Sequence, residues 1–415
     1  MFLKSKRLTT VVGLFFSLNM LTACATYQNK VQEARDALQR RDYDASLKSL
    51  EPLATKEDGD QLVYLLDYGV ALQVSGKVKE SNSALLKADR LSEQVDYQSV
   101  SRIAGSLALN EEMVQYKGDT FEKIFINGYL AMNFLELGQL DDALVEARRI
   151  NQKFLKYRAD EKKSFELNPF SKYLSGMIWE ASRDYDDAYI AYEEAYKIDP
   201  TISTLPEDLI RAAKLSRRDD ALRRWKKQFP QVKERPEWTD KSLGELVVIY
   251  QQGWGPRKAQ SRDSAAMPTL HPVYSQTQKL QLAVDGQSPV ISQPIYDVQN
   301  AAIKTLLDDQ GILLAKRVAA LATKEVLASQ VRQKNELLGA VAWIALHASE
   351  RADLRQWSLL PQTIQTARIY LKPGKYKYTL QGLDASLNAT GESVVNQEVE
   401  IRPGQKRFVI WRSLK

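Results

Sequence analysis

Few side chains in this 415-residue chain are able to carry chemistry. It holds one cysteine, Cys24, and two histidines, His271 and His347. One thiol makes neither an internal disulfide nor a cysteine-based zinc site, and two imidazoles leave little for any other transition-metal cage. No G-x-S-x-G, H-E-x-x-H or calcium-loop pattern occurs in the sequence. His271 precedes a proline in an expected loop. His347 ends an apolar run, with Glu350 as its local partner, and nothing marks a serine–histidine pair. Gly253-Trp254-Gly255 begins like a phosphate-binding loop, but Pro256-Arg257-Lys258 breaks G-x-G-x-x-G at its last position. The paired carboxylates Glu111-Glu112, Asp141-Asp142 and Asp186-Asp187 lie on or beside helical patterns. They read as solvated faces or as helix-start charges that favour the dipole. No catalytic residue, metal ligand or small-molecule cofactor is therefore assigned.

The elements that would position any site begin after a leader. Residues 1–24 run from a basic start (Lys4, Lys6, Arg7) into an apolar stretch, Val11 to Leu21. That stretch falls short of the roughly 20 residues a membrane-spanning helix needs, and it has the grammar of a secretory signal peptide. Its end, Leu21-Thr22-Ala23-Cys24, resembles the lipobox of bacterial lipoproteins. The resemblance implies cleavage after residue 23 and a diacylglycerol (palmitate-type) anchor on Cys24. Ala25, in place of Asp, implies sorting to the outer membrane, at its periplasmic face. The formal net charge of +6, three charges of which lie in the leader, is too mild to imply nucleic acid. With 44% hydrophobic and 27% charged residues, wholesale disorder is excluded.

Residues 24–235 read as helical repeats. The clearest unit is Pro169–Pro200, where Gly176, Trp179, Tyr185, Ala188, Tyr192, Ala195 and Pro200 fall at the small and aromatic positions of a tetratricopeptide repeat (TPR). Weaker copies start near Ile124 (Leu130, Ala131, Phe134, Gly138, Ala143) and Leu62 (Leu65, Gly69, Leu72, Gly76, Ala88). A partial copy starts near Tyr27, and a degenerate helix pair covers about Leu209–Phe229. Inserts at Asp96–Lys117 and Tyr157–Asn168 separate the units. The resemblance implies a TPR-like α-solenoid that binds proteins along a concave face.

Residues 236–415 change character. Arg235-Pro236-Glu237-Trp238 reads as the boundary. Glu245–Gln251 and Lys279–Val284 read as strands, the first ended by the Gly253-Trp254-Gly255-Pro256 turn. The segment between them, to about Pro272, is polar with little periodicity. Stripes at Val298, Ala302, Leu306 and Leu307, and then from Leu313 to Val326, predict helices, the longer over about Ile312–Lys334. Leu337–Leu346 is apolar all round but far short of a span, so a buried helix is expected. Thr366–Leu371, Lys375–Gln381, Val394–Ile401 and Lys406–Trp411 form two strand–Pro-Gly–strand units, similar to small β-sandwich modules of envelope proteins. The expected fold is mainly α: a repeat domain, then an α+β domain with a small antiparallel sheet or sandwich and helices on one face.

The mature chain also resembles a family of uncharacterised bacterial lipoproteins, through Gly253, Gly255 and Pro256 of the turn and through Ala352-Asp353-Leu354-Arg355-Gln356-Trp357-Ser358-Leu359-Leu360-Pro361. Asp353, Arg355, Trp357 and Pro361 read either as a junction plug or as a ligand site with the turn at 253–256. The family implies architecture and location, not an activity. Three functions stay open. One is a lipid-anchored scaffold or adaptor docking another envelope protein or peptide. Another is a regulator of cell-wall synthesis, similar to lipoprotein activators of penicillin-binding proteins. The third is a glycan-acting enzyme, which would need two converging carboxylates. By TPR resemblance, Phe125 and Met132, and Tyr173 and Met177, line the concave face and are the expected partner contacts. The alternative is that the C-terminal half fills that groove.

Cys24→Ala is expected to abolish labelling by a palmitate analogue and cleavage at residue 23; a variant still labelled and still in the membrane fraction contradicts the lipobox.

Overall fold

A computed structural model of the chain describes residues 27–106, 115–160, 166–262, 267–334, 336, 340 and 352–415. Cys24 and its leader, Glu111-Glu112, His347 and most of the apolar run 337–346 lie outside the described residues.

Ten described helices come first: α1 (Tyr27–Gln39), α2 (Tyr43–Thr55), α3 (Gln61–Val74), α4 (Val78–Ser106), α5 (Thr120–Glu136), α6 (Leu140–Ala159), α7 (Pro169–Ala181), α8 (Tyr185–Ile198), α9 (Leu205–Leu215) and α10 (Asp219–Gln228). Each packs chiefly on its neighbours in sequence, the arrangement of helical repeats. Five turns carry the same signature. Arg41, Gly76, Gly138, Arg183 and Arg217 have φ between 57° and 79°. At each one, its own N–H and the next N–H reach back to carbonyls of the preceding helix, as Gly76 to Gln73 and Lys77 to Leu72. This is the left-handed stop that satisfies orphan carbonyls at a helix end. Close approach within the pairs needs glycine at two places. A Cβ on Gly69 would lie 2.7 Å from Leu85, and one on Gly176 would lie 2.6 Å from the Tyr192 ring. The expected insert from Asp96 is in part helical, because α4 continues to Ser106.

A short 3-10 turn, Pro236–Trp238, leads into the strands. These are β1 (Gly244–Gln252), β2 (Arg257–Gln260), β3 (Pro268–His271), β4 (Lys279–Val284), β5 (Val290–Ile291), β6 (Gln293–Asp297), β7 (Thr363–Leu371), β8 (Gly374–Leu383), β9 (Ala389–Ile401) and β10 (Lys406–Arg412). One sheet runs β10-β1-β7-β6 and a second runs β5-β4-β8-β9. β10 is parallel to β1, with Val409 opposite Val248, so the expected all-antiparallel sheet is mixed. The two Pro-Gly corners do not close hairpins. Each carries the chain from one sheet to the other, while β8 and β9 make the hairpin. The polar segment before Pro272 also contains a two-stranded ribbon, β2–β3, with His271 on its exposed end. Short strands with mixed burial leave no period to read.

The molecule has three layers: helical repeats, first sheet, second sheet. Val247, Ile249, Ile364 and Phe408 share one core with the repeat helices. Leu246, Val248, Tyr250 and Trp411 face Leu280, Leu282 and Leu380 of the second sheet. β1 is consequently buried at all nine positions, as a strand covered on both faces must be. The boundary at 235/236 therefore separates secondary-structure types, while one apolar core spans it. The helices expected from about Tyr296 are one 37-residue helix, α11 (Val298–Lys334). Val298, Ala301 and Thr305 are buried at its base, against β3 and β7. Beyond that base Leu307, Ile312, Leu314, Val318, Val326 and Val331 are exposed.

Gly76 has φ +79° and no heavy atom within 4 Å of where a Cβ would stand. Gly76→Ala is therefore expected to cost about 1–2 kcal/mol from left-handed strain alone, read as a lower urea midpoint with an unchanged slope.

Candidate functional site

The concave face of the repeats is the expected site, and its contents follow from which charged residues the helices turn inward. Asp67 lies within an otherwise apolar run of α3, and Glu122 in the first turn of α5. Both are buried. Between them lies the signature segment 352–361, which is neither helix nor strand and turns at Ser358-Leu359. The Leu359 N–H donates to Asp67 Oδ1 at 2.9 Å. The Trp357 N–H donates to Glu122 Oε1 at 2.9 Å. Tyr27 donates its hydroxyl to Asp67, and Tyr116 donates to Glu122 Oε2 at 2.6 Å. Gln28 reaches the Leu354 carbonyl at 2.7 Å, and Lys258 the Arg355 carbonyl at 3.2 Å. The segment is held as a groove-binding peptide would be, by its backbone, and it is part of the chain itself.

Its side chains seal the groove. The Trp357 ring packs 5.2 Å from Tyr129 and 6.1 Å from Phe125. Arg355 makes three hydrogen bonds to Asp353, two of them from its guanidinium, and pairs with Asp60 at 2.8 Å. The turn Gly253-Trp254-Gly255-Pro256 backs the segment: the Gly255 N–H donates to the Leu360 carbonyl at 2.8 Å, and Gln356 Nε2 donates to the Pro256 carbonyl at 2.8 Å. Gly253 has φ +57°, and a Cβ there would stand 2.1 Å from Ser275 Oγ. The structure thus joins signature and turn into one strap, closed by Pro361.

The four expected partner contacts are all inside. Phe125, Met132, Tyr173 and Met177 are fully buried in the shared core. Phe125 meets Tyr296 and Trp357 edge-on or tilted, both from the second half of the chain. Tyr173 donates its hydroxyl to Asp208 at 2.5 Å. As partner-binding residues these four are corrected: sheet and strap cover the apolar groove where an outside segment was expected, because the apolar inner face of β1, β7 and β10 needs the same cover.

A second set of charges went unread in the sequence. Glu180, Asp208 and Arg211 of the repeats meet Glu245, Arg368 and Lys406 of the first sheet. Arg211 bonds Glu180 at 2.6 Å and also pairs with Asp208. Arg368 bonds Asp208 at 2.6 Å and Glu245 at 2.7 Å. Lys406 pairs with Glu245 and lies 3.4 Å from Glu180. Burial opposes charge on Glu245, but Arg368 and Lys406 outweigh it and hold the carboxyl down at about 2. Glu180, likewise buried, is pulled well below the ordinary range by Arg211, Lys406 and Arg368. The signal available was acids at positions where the helical and strand patterns call for apolar residues.

Among the described residues, no group of three or more His, Cys, Asp or Glu is placed to hold a metal ion, and no helix is long and apolar enough to cross a membrane. Asp141, Asp142, Asp186 and Asp187 occupy first turns of α6 and α8. Neither a family model nor a curated protein matches the chain. Among solved structures, the crystal structure of MamA protein is similar at 14% identity and a TM-score of 0.32, over 51% of this chain and 97% of that one. MamA 41-end from Desulfovibrio magneticus RS-1 is similar at 16% identity and a TM-score of 0.31, over 49% and 93%. At such scores the likeness carries no argument about this chain.

Asp67 and Glu122 make the strap sensitive to pH. Burial raises both to about 7, against the bonds from Tyr27 and Leu359 on Asp67; on Glu122 the neighbouring Asp119 adds to the rise, against Tyr116 and Trp357. A folded carboxyl raised in this way keeps its proton where the unfolded one has lost it. Its contribution is full at acidic pH, below the unfolded value, and is lost as pH rises to about 7. Urea midpoints are expected to fall between pH 5 and pH 8, and the fall to shrink in Asp67→Asn with Glu122→Gln. An equal fall in that double variant contradicts the assignment.

Proposed function

We propose that the chain is a lipid-anchored adaptor at the periplasmic face of the outer membrane, without catalysis, which docks another envelope protein through α11 rather than through the repeat groove. One observation carries this reading: the groove is filled by the chain's own strap and sheet, while α11 presents Leu307, Ile312, Leu314, Val318, Val326 and Val331 outside the core.

The anchor reading rests on the lipobox at Cys24, three residues before α1 begins. The repeats are read as a TPR-like solenoid, supported by the five matching left-handed turns and by sequence-neighbour packing. Val298–Lys334 carries six bases, Lys304, Lys316, Arg317, Lys324, Arg332 and Lys334, and three acids, Asp308, Asp309 and Glu325. Exposed apolar residues on several sides, with charges of both signs between them, suit a protein surface that packs around the helix. A helix lying in a bilayer surface gathers its apolar residues on one face, and those of α11 are spread around its axis. The occupant is accordingly a protein segment with an apolar, helix-sized face.

A photocrosslinker at Val318 in intact envelopes is expected to give one adduct of defined mass, and the same probe at exposed Tyr274 none. Leu314→Asp should remove the adduct with the thermal midpoint unchanged, since Leu314 is 57% exposed. Equal crosslinking at both positions, or an adduct that survives Leu314→Asp, overturns docking through α11.

A further inference from the structure

Every other large buried cation at the interface of repeats and sheets faces a carboxylate. Arg211, Arg355 and Arg368 each pair with at least one Asp or Glu. Arg35 of α1 and Arg412 at the end of β10 do not. Both are buried, at 8% and 9% exposure, and among the described residues neither forms an ion pair. Both lie over one ring. The Arg35 guanidinium is 5.0 Å from the Trp254 ring centroid and that of Arg412 is 5.3 Å away.

The donors of these two guanidiniums are specific in their arrangement. Arg412 Nη1 reaches Gln251 Oε1 at 3.4 Å. Its Nε and Nη2 are buried and have no hydrogen-bond partner, and neither has Arg35 Nη1. Nε and Nη2 form one edge of the guanidinium plane, the fork that donates side-on to two oxygens of a carboxylate or phosphate. The nearby acids are committed elsewhere. Asp67 accepts from Tyr27 and Leu359. Glu392 accepts from Arg41, Thr277 and the Leu414 N–H. Asp67 and Asp36 favour the charge on Arg35 without pairing with it, and exposed Arg257 opposes it. Burial brings Arg412 down to about 10, with Arg35 adding to the fall and the hydroxyls of Tyr129 and Tyr250 opposing it; no carboxylate contributes.

The platform is rigid. Trp254 Nε1 donates to the Leu414 carbonyl at 2.9 Å, and the Trp254 N–H donates to Ser275 Oγ at 3.3 Å. A water molecule can satisfy a donor, but it adds no counter-charge to the buried Arg412 guanidinium. We propose that Arg412, Arg35 and Trp254 form a binding site for a small oxyanion, a carboxylate or phosphate group, gripped by the Nε–Nη2 edge of Arg412 with Arg35 as the second cation. The turn at 253–256 thereby acquires a role in recognition through Trp254, by charge and fork geometry rather than by a glycine-rich phosphate loop.

The test uses the full chain in Tris-chloride at constant ionic strength. Inorganic phosphate and acetate are each expected to raise the thermal midpoint saturably, by several degrees, as a ligand selective for the folded state does. Arg412→Gln should abolish the shift. Arg412→Lys keeps the charge but not the fork, and should weaken the apparent affinity at least tenfold. Calorimetric titration of phosphate into the unaltered chain gives a reading independent of any variant's folding, with one site expected. Dihexanoyl phosphatidylglycerol below its micelle concentration distinguishes sources: tighter binding than inorganic phosphate assigns the anion to a lipid headgroup, equal or weaker binding to a free anion. A shift of equal size in Arg412→Gln, or the absence of both a saturable shift and binding heat, overturns the site.

Discussion

Six charges sealed between the repeats and the first sheet constrain everything else. Glu180, Asp208 and Arg211 come from the helices, and Glu245, Arg368 and Lys406 from the strands. Ions removed from water cost several kcal/mol each unless every one is answered, so a partial network is worse than none. The geometry that answers all six admits one placement of α7 and α9 against β1, β7 and β10. An apolar contact between the same surfaces would tolerate sliding; this one does not. The network adds little to net stability by that reasoning, yet it fixes the angle and depth at which the sheet sits in the groove.

Once the sheet is seated, the strap follows. Residues 352–361 run between α11 and β7 and cross the mouth of the groove, where Asp67 and Glu122 take their backbone N–H groups. Concave repeat surfaces recognise extended peptides through such bonds. Here the chain supplies its own peptide, and the groove becomes interior. That leaves two features of unspent potential: the apolar length of α11 on the surface, and the buried arginine pair at Trp254, in the strap's supporting turn.

Much of this was legible in the sequence and some was not, for physical reasons. The repeats declare themselves because helix pairing needs small residues at fixed places, as Gly69 against Leu85 and Gly176 against Tyr192. The Pro-Gly corners and the turn at 253–256 were visible because backbone strain restricts composition. Burial of a groove leaves no such mark. Phe125, Met132, Tyr173 and Met177 are the residues an open apolar groove and a filled one would both contain, so the pattern could not distinguish them. The short ribbon β2–β3 lacks a hydrophobic period, and α11 merges two stripes because its exposed length is apolar on more than one side. The buried charges went unread because a period-based reading follows apolar positions and passes over the acids between them. Asp67, which directly follows Leu62-Val63-Tyr64-Leu65-Leu66, is the plainest instance.

The parallel pairing of β1 with β10 has a consequence for how the chain acquires its shape. Glu245 waits for Lys406, 161 positions further along. The central strand therefore lacks one neighbour, and the groove its cover, until the closing residues have been made and delivered. In a chain released from its N-terminal end, the helix pairs form early from local contacts, whereas the sheet that buries them closes late. During that interval an apolar concave surface and an unpaired strand edge stand open together. A holding chaperone able to occupy the surface later taken by the strap would protect the chain during this interval, and its release would be driven by the arrival of β10.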